Sequence, residues 1–282
     1  MRAWLNGNLV EESQAAVSIF DRSYLYGEGI FETLMCYGGR PAFLSRHYQR
    51  LQRNCEKIGI SLNFSQRDLE HNLSSLITAN QLVEGVVRIT LSTVGASFGV
   101  KRPENPKHNL SFFCRTVEID PKLFENGVVV LPLTALTNDE AQTAGIKSTS
   151  YLIKMLARAR SGEAGTYESL LKNSKGQWVE GSRTNLFIVL DRVVITAPLS
   201  DGLLPGITRE VVLEILNTQK IPHREDHITD VMLQNAEEIF LTGSTSEVMP
   251  VCEVRGLWKK KVAPDWLTLK LQKEYHALAH AV

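Results

Sequence analysis

The chain has 282 residues, of which 43% are apolar, and its 31 Lys and Arg residues balance 31 Asp and Glu residues. This is the composition of a globular protein. The balance of basic and acidic residues excludes the excess of positive charge that is typical of proteins that bind nucleic acid or anionic membranes. No apolar run approaches the roughly 20 residues that span a bilayer, and the first residues lack a signal-peptide core. The four cysteines lie far apart without a CxxC pair, so we expect free thiols, no metal site and a cytoplasmic protein.

The first half of the chain alternates strand and helix signals. Apolar residues at helical spacing predict a helix after Leu44, with Ser45 as its N-cap and Gly59 as its stop. Asn6-Gly7 predicts the tight turn of a hairpin. The other predicted elements are a hairpin over 33–44, a helix over 66–82, and strands over 86–92 and 110–114.

Two features of this half admit two interpretations each. The middle of the segment Asp21–Leu34 is rich in glycine and aromatic residues, which is typical of a loop that carries recognition side chains or of a packed turn. Arg88 lies among apolar residues of a predicted strand. An arginine there indicates an anion or a cavity beside it, unless the strand is at the sheet edge and Arg88 is in water.

A polar stretch around Asp120-Pro121 predicts a linker, 120–127, between a small N-terminal domain, 1–119, and a large C-terminal domain, 128–282. After Lys147 the pattern predicts a helix with Tyr151, Met155, Leu156 and Ala159 on one face. The remaining predicted elements are strands over 128–131, 167–172, 177–179, 184–190, 193–196 and 238–241, a helix from 207, and a helix over 265–279.

Several residues of the second half suit a phosphorylated cofactor. Lys147 precedes a run of small polar residues, and Glu180 follows on a strand, which suggests a Schiff-base lysine and a carboxylate that keeps a pyridine ring protonated. The helix start at Leu204–Arg209 and the loop Thr242–Ser246 offer amides and hydroxyls to an anion. An ordinary capped helix explains the first of these two equally well.

The order and spacing of six motifs resemble the class IV, fold-type IV, pyridoxal-phosphate enzymes, over nearly the whole chain. This group contains branched-chain and D-amino-acid aminotransferases and aminodeoxychorismate lyases. The resemblance implies an α+β fold, with a small α/β domain and a larger pseudo-barrel domain, and a homodimer. The motifs are Tyr26-Gly27-Glu28-Gly29-Ile30-Phe31-Glu32-Thr33, His47-Tyr48-Gln49-Arg50-Leu51, Lys147-Ser148-Thr149-Ser150-Tyr151, Glu180-Gly181-Ser182-Arg183-Thr184-Asn185, Leu204-Pro205-Gly206-Ile207-Thr208-Arg209 and Thr242-Gly243-Ser244-Thr245-Ser246-Glu247.

The resemblance also implies a role for individual residues. Lys147 is expected to form the Schiff base with pyridoxal 5′-phosphate and to act as the general acid–base, while Glu180 pairs with the pyridine nitrogen. Tyr151 would donate to the ring hydroxyl. The phosphate would be held by Arg50, Ile207, Thr208 and Thr245, with Ile207 acting through its backbone amide.

If the chain is an aminotransferase like those of this group, its substrates are amino acids and 2-oxo acids. Arg88 matches the arginine of a Tyr-x-Arg motif on a strand of branched-chain enzymes, although Val86 replaces the tyrosine, and Tyr26 matches a pocket tyrosine. The loop Thr93–Gly99 lacks the Arg-x-His of the best-known D-amino-acid enzymes and the glycine–arginine motifs of the lyases. We therefore expect a branched-chain or atypical D-amino-acid aminotransferase, with Tyr26, Phe31 and Arg88 at the substrate.

Two alternatives remain open. An aminodeoxychorismate lyase, which makes 4-aminobenzoate and pyruvate, would use the same cofactor residues. A protein that only stores or delivers pyridoxal phosphate would bind it without turnover.

Overall fold

The computed structural model describes residues 1–94, 101, 106–136, 143–260 and 265–281. Its contacts divide the chain into two compact units. The first consists of Met1–Glu118, Ile146–Tyr151 and Ala279–Val282, and the second of Ile119–Gly145 and Leu152–Leu278. The predicted domains, 1–119 and 128–282, stay a prediction. Most of the loop Thr93–Gly99 lies outside the described residues.

The first unit contains a six-stranded antiparallel sheet in the order β2-β1-β6-β5-β3-β4. One buried cluster, which includes Leu34, Leu51, Leu73 and Phe112, forms its core. The elements of this unit are β1 Arg2–Leu5, β2 Asn8–Glu11, α1 Arg22–Tyr26, β3 Gly29–Tyr37, β4 Arg40–Pro41, α2 Leu44–Lys57, α3 Gln66–Ala79, β5 Gly85–Val94 and β6 Lys107–Arg115.

Local chemistry explains where most of these elements begin and end. Asn6 and Gly7 have φ of 50° and 97°, as a two-residue hairpin turn requires. The α3 helix begins with a capping box between Ser65 and Asp68. The predicted N-cap of α2 is wrong, because Ser45 lies inside the first turn and the N-cap is Phe43, which has φ of 53° and no side-chain cap.

The glycine- and aromatic-rich segment after Asp21 is a short helix followed by a strand. The Asp21 carboxylate accepts a hydrogen bond from the Ser23 amide at 2.8 Å and caps α1. The helix ends at Gly27, which has φ of 67°, and β3 begins at Gly29. Both interpretations of this segment were therefore incomplete, since its second half is a buried strand.

The second unit contains a sheet of nine strands, part of which closes on itself. Eight strands lie in the order β12-β11-β10-β13-β14-β7-β8-β9, the ninth strand, β15, pairs with β14, and an additional pairing joins β9 to β10. Six strands thus form a ring, which confirms the predicted pseudo-barrel within an α+β fold. The elements are α4 Pro121–Asn126, β7 Val128–Leu136, α5 Leu152–Glu163, β8 Glu168–Lys172, β9 Trp178–Gly181, β10 Asn185–Leu190, β11 Val193–Thr196, α6 Ile207–Thr218, β12 His223–Glu225, α7 Asp230–Gln234, β13 Glu238–Gly243, β14 Glu247–Val254, β15 Trp258–Lys259 and α8 Trp266–His280.

The α5 helix buries a different face from the one predicted. It begins after Tyr151, and its buried residues are Ala157 and Ser161, whereas Met155 and Leu156 are 56% and 58% exposed. Its apolar residues therefore point away from the barrel.

No helix within the described ranges is both long and apolar enough to cross a bilayer.

Candidate functional site

The Lys147 segment lies on β3 of the first unit. The Phe31 amide donates to the Lys147 carbonyl at 3.0 Å, and the Thr149 amide donates to the Gly29 carbonyl at 2.8 Å. The Thr149 hydroxyl also donates to the Gly27 carbonyl at 2.8 Å. These bonds fix the backbone from the Lys147 carbonyl to Thr149.

Four of the predicted site residues meet at the ring of Phe31, which is buried. The Lys147 Nζ lies 4.5 Å from the ring centroid, and the Arg88 Cζ lies 3.7 Å from it. The Tyr151 ring stands edge-on to Phe31, with a centroid distance of 5.4 Å. A cation is attracted to the π electrons of an aromatic ring, so Phe31 holds two cationic groups in its neighbourhood, and an anionic ligand group that reached either cation would be stabilised.

Arg88 lies in the interior of the sheet, because β5 pairs with β6 on one side and β3 on the other. This overturns the edge-strand interpretation. Burial lowers the pKa of Arg88, an effect that the Tyr151 phenol partly offsets. Among the described residues, no carboxylate forms an ion pair with Arg88. A half-buried guanidinium in this position can receive an anionic group from a ligand.

Arg50 binds a carboxylate of the same unit. Its Nε and Nη2 donate to the two oxygens of Glu32 at 2.8 and 2.6 Å, and His47 Nδ1 lies 2.8 Å from Oε2 of Glu32. All three side chains are buried. Burial alone would raise the pKa of Glu32, but Arg50 and His47 outweigh burial and hold it far below its usual range.

Sequence reasoning missed Glu32 and His47 as members of this cluster. A signal was present, because Glu32 interrupts an apolar strand and His47 and Arg50 are three residues apart on a helix. Tyr26, in contrast, is 42% exposed, and the Arg22 Cζ lies 5.0 Å from its ring. Among the described residues, Phe31 stacks edge-on with Tyr151 and not with Tyr26.

In the second unit, Glu180 lies on β9 with its carboxylate 4% exposed. Oε1 accepts a hydrogen bond from Lys154 Nζ at 2.7 Å, and Oε2 accepts one from the Leu204 amide at 3.1 Å. Asn185 on β10 is the cross-strand neighbour of Glu180, and Thr242 on β13 is the next neighbour. Residues paired in this way share a face of the sheet, so the three form a polar row.

The polar row contains an unsatisfied hydroxyl. Thr242 Oγ1 is buried without a hydrogen-bond partner in the part of the chain that the structure describes. Buried polar groups are normally paired, so this hydroxyl indicates that a polar ligand group completes the row.

The start of α6 is held against the polar row. The side chain of Asn185 donates to the Leu204 carbonyl at 2.9 Å, and a Cβ on Gly206 would collide with the Asn185 side-chain oxygen. Gly206 is the N-cap of α6 and supplies no side-chain cap. The first amides of α6, including those of Ile207 and Thr208, are therefore available to an anion.

Hydroxyl groups accompany these amides. The Thr208 Oγ1 lies 3.1 Å from the Tyr275 hydroxyl of α8, and both residues are buried. The turn between β13 and β14 carries Ser244 and the predicted Thr245, both half-buried. By itself, the second unit offers a carboxylate suited to a ring nitrogen and helix-start donors suited to a phosphate. By itself, the first unit offers an amine suited to an aldehyde.

Comparison with known proteins gives consistent matches. A family model described as amino-transferase class IV matches residues 29–254. The D-alanine aminotransferase of Bacillus licheniformis is 30% identical over 274 residues, which cover 96% of this chain and 95% of that protein.

Two solved structures extend the comparison. The branched-chain aminotransferase of Thermoproteus uzoniensis, solved with norvaline, has a TM-score of 0.89 and 28% identity, and the match covers 100% of this chain and 95% of that one. The 4-amino-4-deoxychorismate lyase of Pseudomonas aeruginosa has a TM-score of 0.83 and 27% identity over 96% and 97% of the two chains. These matches span both units described above.

Proposed function

Because the chain belongs to the class IV aminotransferase family, whose members use pyridoxal 5′-phosphate, we propose that it moves the amino group of a branched-chain or D-amino acid to a 2-oxo acid. The observation that carries this proposal is the cluster of Lys147, Arg88 and Tyr151 around Phe31. It supplies a reactive amine and a cation for a carboxylate within reach of one aromatic ring.

Lys147 is the catalytic residue of this proposal. When bound, the cofactor's protonated pyridine ring withdraws electrons from the substrate's α-carbon and so makes loss of the α-proton feasible. With the cofactor bound, the Lys147 amine would accept that proton and return it to the carbon that came from the cofactor's aldehyde group. The backbone that carries Lys147 is hydrogen-bonded to β3, and its amine lies 4.5 Å from the centroid of the Phe31 ring.

The substrate's carboxylate binds Arg88 in this proposal, and the side chains of Phe31 and Tyr26 contact the rest of the substrate. Arg88 suits the role because it lies in an interior strand and pairs with no carboxylate of the described residues. A carboxylate at Arg88 places the α-carbon near the Lys147 amine, since both cations contact the same ring.

Each charged group of the cofactor has a proposed partner in the chain. Glu180 receives the protonated ring nitrogen, and Tyr151 donates to the ring hydroxyl. The residues that hold the phosphate are Arg50, the amides and hydroxyl of Ile207 and Thr208, and Thr245. Support comes from the uncapped start of α6 and from the buried Glu180 carboxylate.

A second candidate is 4-amino-4-deoxychorismate lyase activity. It is favoured by the likeness to the Pseudomonas aeruginosa enzyme of that name, which covers 96% of the chain, against 100% for the Thermoproteus uzoniensis aminotransferase. The lyase reaction also begins with loss of the substrate's α-proton, so the same lysine and carboxylate serve it.

We also propose that the chain is a cytoplasmic homodimer. Exposed apolar side chains concentrate in Val17–Tyr26 of the first unit, where Ile19 and Tyr24 are 66% and 72% exposed. Such patches mark protein interfaces. Sedimentation equilibrium tests the dimer, and a monomer at all concentrations would contradict it.

The proposed cytoplasmic location is supported by the cysteines. Those of the described residues are free, as expected from the sequence and as a reducing compartment requires.

The test of function is the absorption spectrum of the purified holoenzyme against a panel of L- and D-amino acids. Conversion of the lysine-bound cofactor to pyridoxamine phosphate, with release of a 2-oxo acid, is the expected result for a subset of them. Formation of 4-aminobenzoate from aminodeoxychorismate would instead identify the lyase. No reaction with any substrate would contradict both activities.

Two variants test the residue roles. Lys147→Ala should abolish turnover and the lysine-bound absorption band. Arg88→Ala should raise the KM for amino and oxo acids at least about tenfold, through loss of a charge-assisted bidentate contact. The matched control is Arg115→Ala, which removes an arginine 5.6 Å from the Phe113 ring of the same sheet and should leave KM unchanged. An unchanged KM in Arg88→Ala would contradict the substrate assignment.

A further inference from the structure

The α5 helix turns a lysine inward and its apolar residues outward. Lys154 shares a face with the buried Ala157 and Ser161, at the i, i+3, i+7 spacing of one side of a helix. The neighbouring Ile153 and Met155 are exposed. A lysine on a helix usually lies in water, so its inward position here requires a partner in the interior.

That partner is the carboxylate of Glu180. The Lys154 Nζ lies 2.7 Å from Oε1, and the lysine side chain is 22% exposed against 4% for the glutamate. A carboxylate this buried is costly without a cation. In the described residues of this unit, Lys154 and the Leu204 amide are the two donors that reach it.

In its proposed role, the Glu180 carboxylate would face a second cation once the cofactor is bound. A protonated pyridine nitrogen needs a carboxylate as its acceptor. Each carboxylate oxygen has two lone-pair directions, so Oε1 can accept from both cations only when they lie close together. Two cations that share one carboxylate repel each other.

We propose that Lys154 is a positioning residue that acts through Glu180. It is the counter-ion of the carboxylate in the cofactor-free chain and must share or release it when the ring nitrogen binds. This inference rests on the proposed role of Glu180. Lys154 therefore stabilises the empty site and weakens the cofactor's hold on it, which favours exchange of cofactor over permanent retention.

The test measures binding of pyridoxamine 5′-phosphate to the full-length, cofactor-free chain. This form has no aldehyde, so its affinity reports the ring and phosphate contacts without the covalent bond to Lys147. We expect Lys154→Met to tighten binding at least about tenfold, because the repulsion and the competition both disappear. Lys154→Gln, which keeps a neutral donor, should tighten it as well.

The same substitution should have an opposite effect on the empty protein. Lys154→Met should lower the midpoint of thermal unfolding without cofactor, and saturating pyridoxamine 5′-phosphate should raise that midpoint by more degrees than in the wild type. A residue with a purely structural role would lower the midpoint without tightening the binding.

Two controls make the result specific. Lys172→Met removes a lysine that pairs with Asp230 at 2.7 Å in the same unit, and it should leave the affinity unchanged. In the Glu180→Gln background, Lys154→Met should change the affinity less than about twofold, because the charge that links the two cations is absent.

The outcomes separate this inference from the proposed function. Tighter binding in Lys154→Met that depends on Glu180 supports the inference. Equal or weaker binding, or tightening that persists with Glu180→Gln, overturns it and leaves the proposed function intact. A wild-type chain that binds neither pyridoxal nor pyridoxamine phosphate overturns both.

Discussion

Replacement of Glu32 by Gln tests the buried charge cluster of the first unit. The carboxylate accepts two hydrogen bonds from Arg50 and contacts His47, and all three side chains are buried. A glutamine has nearly the same shape, but its amide offers one acceptor oxygen and places a donor against a donor at the other position. The substitution also leaves the Arg50 guanidinium without a compensating charge.

The expected loss follows from that geometry. Removal of one partner from a buried ion pair costs about 3–5 kcal/mol in free energy of unfolding, because the remaining charge stays buried and uncompensated. A surface pair is worth at most about 1 kcal/mol. The Arg2–Glu11 pair of the same unit, with side chains 53% and 56% exposed, provides that comparison.

The assay is urea unfolding followed by far-ultraviolet circular dichroism, with hydrogen–deuterium exchange of the peptide that covers α2. Glu32→Gln should lower the midpoint with little change in slope and should increase exchange in α2. Glu11→Gln is the control and should lose far less stability. If the two variants lost the same free energy, Glu32 would not be the counter-ion that holds Arg50.

Two further predictions concern the buried side chains of His47 and Tyr275. Burial lowers the pKa of His47 in spite of the opposing charge of Glu32, so the unfolded chain binds the extra proton and stability falls as the pH drops below the unfolded pKa of about 6.5. His47→Gln should therefore reduce the slope of unfolding free energy against pH between about pH 7 and pH 5, by up to about 1.4 kcal/mol per unit, and an unchanged slope in urea titrations would refute a neutral His47. Tyr275→Phe removes the hydroxyl 3.1 Å from Thr208 and should cost about 1 kcal/mol in urea unfolding and weaken pyridoxal phosphate binding a few-fold. The double variant with Thr208→Val should lose less than the sum of the two single variants, and strict additivity would contradict the contact.

Features that depend on neighbours in sequence were predictable. The Asn6-Gly7 hairpin and the start of α3 follow from backbone angles and capping chemistry that act within four residues. The pseudo-barrel was expected from the resemblance of spaced motifs, and the pairing of β9 with β10 confirms it. The local sequence pattern alone does not predict that the strands form a closed ring, because strand order depends on pairing between segments far apart in the chain.

Features that depend on partners far away in sequence were not predictable. Glu32 meets Arg50 across 18 positions, and Lys154 meets Glu180 across 26. Hydrophobic periodicity assigned the apolar residues of α5 to the protein interior, but Lys154 occupies the inward face because a buried carboxylate requires a cation. The interior position of Arg88 likewise followed from strand order, which residues 86–92 do not encode.

The way the two sheets end also affects how the chain behaves at high concentration. The six-stranded ring of the second unit leaves those strands without an open edge between β9 and β10. In the first unit the last strand, β4, has two residues, and one of them is Pro41, which has no amide hydrogen to offer another chain. The opposite border, β2, carries Asn8 and Glu11, side chains that discourage strand addition. In the folded protein, the ring and these two borders therefore offer little to a strand of another molecule.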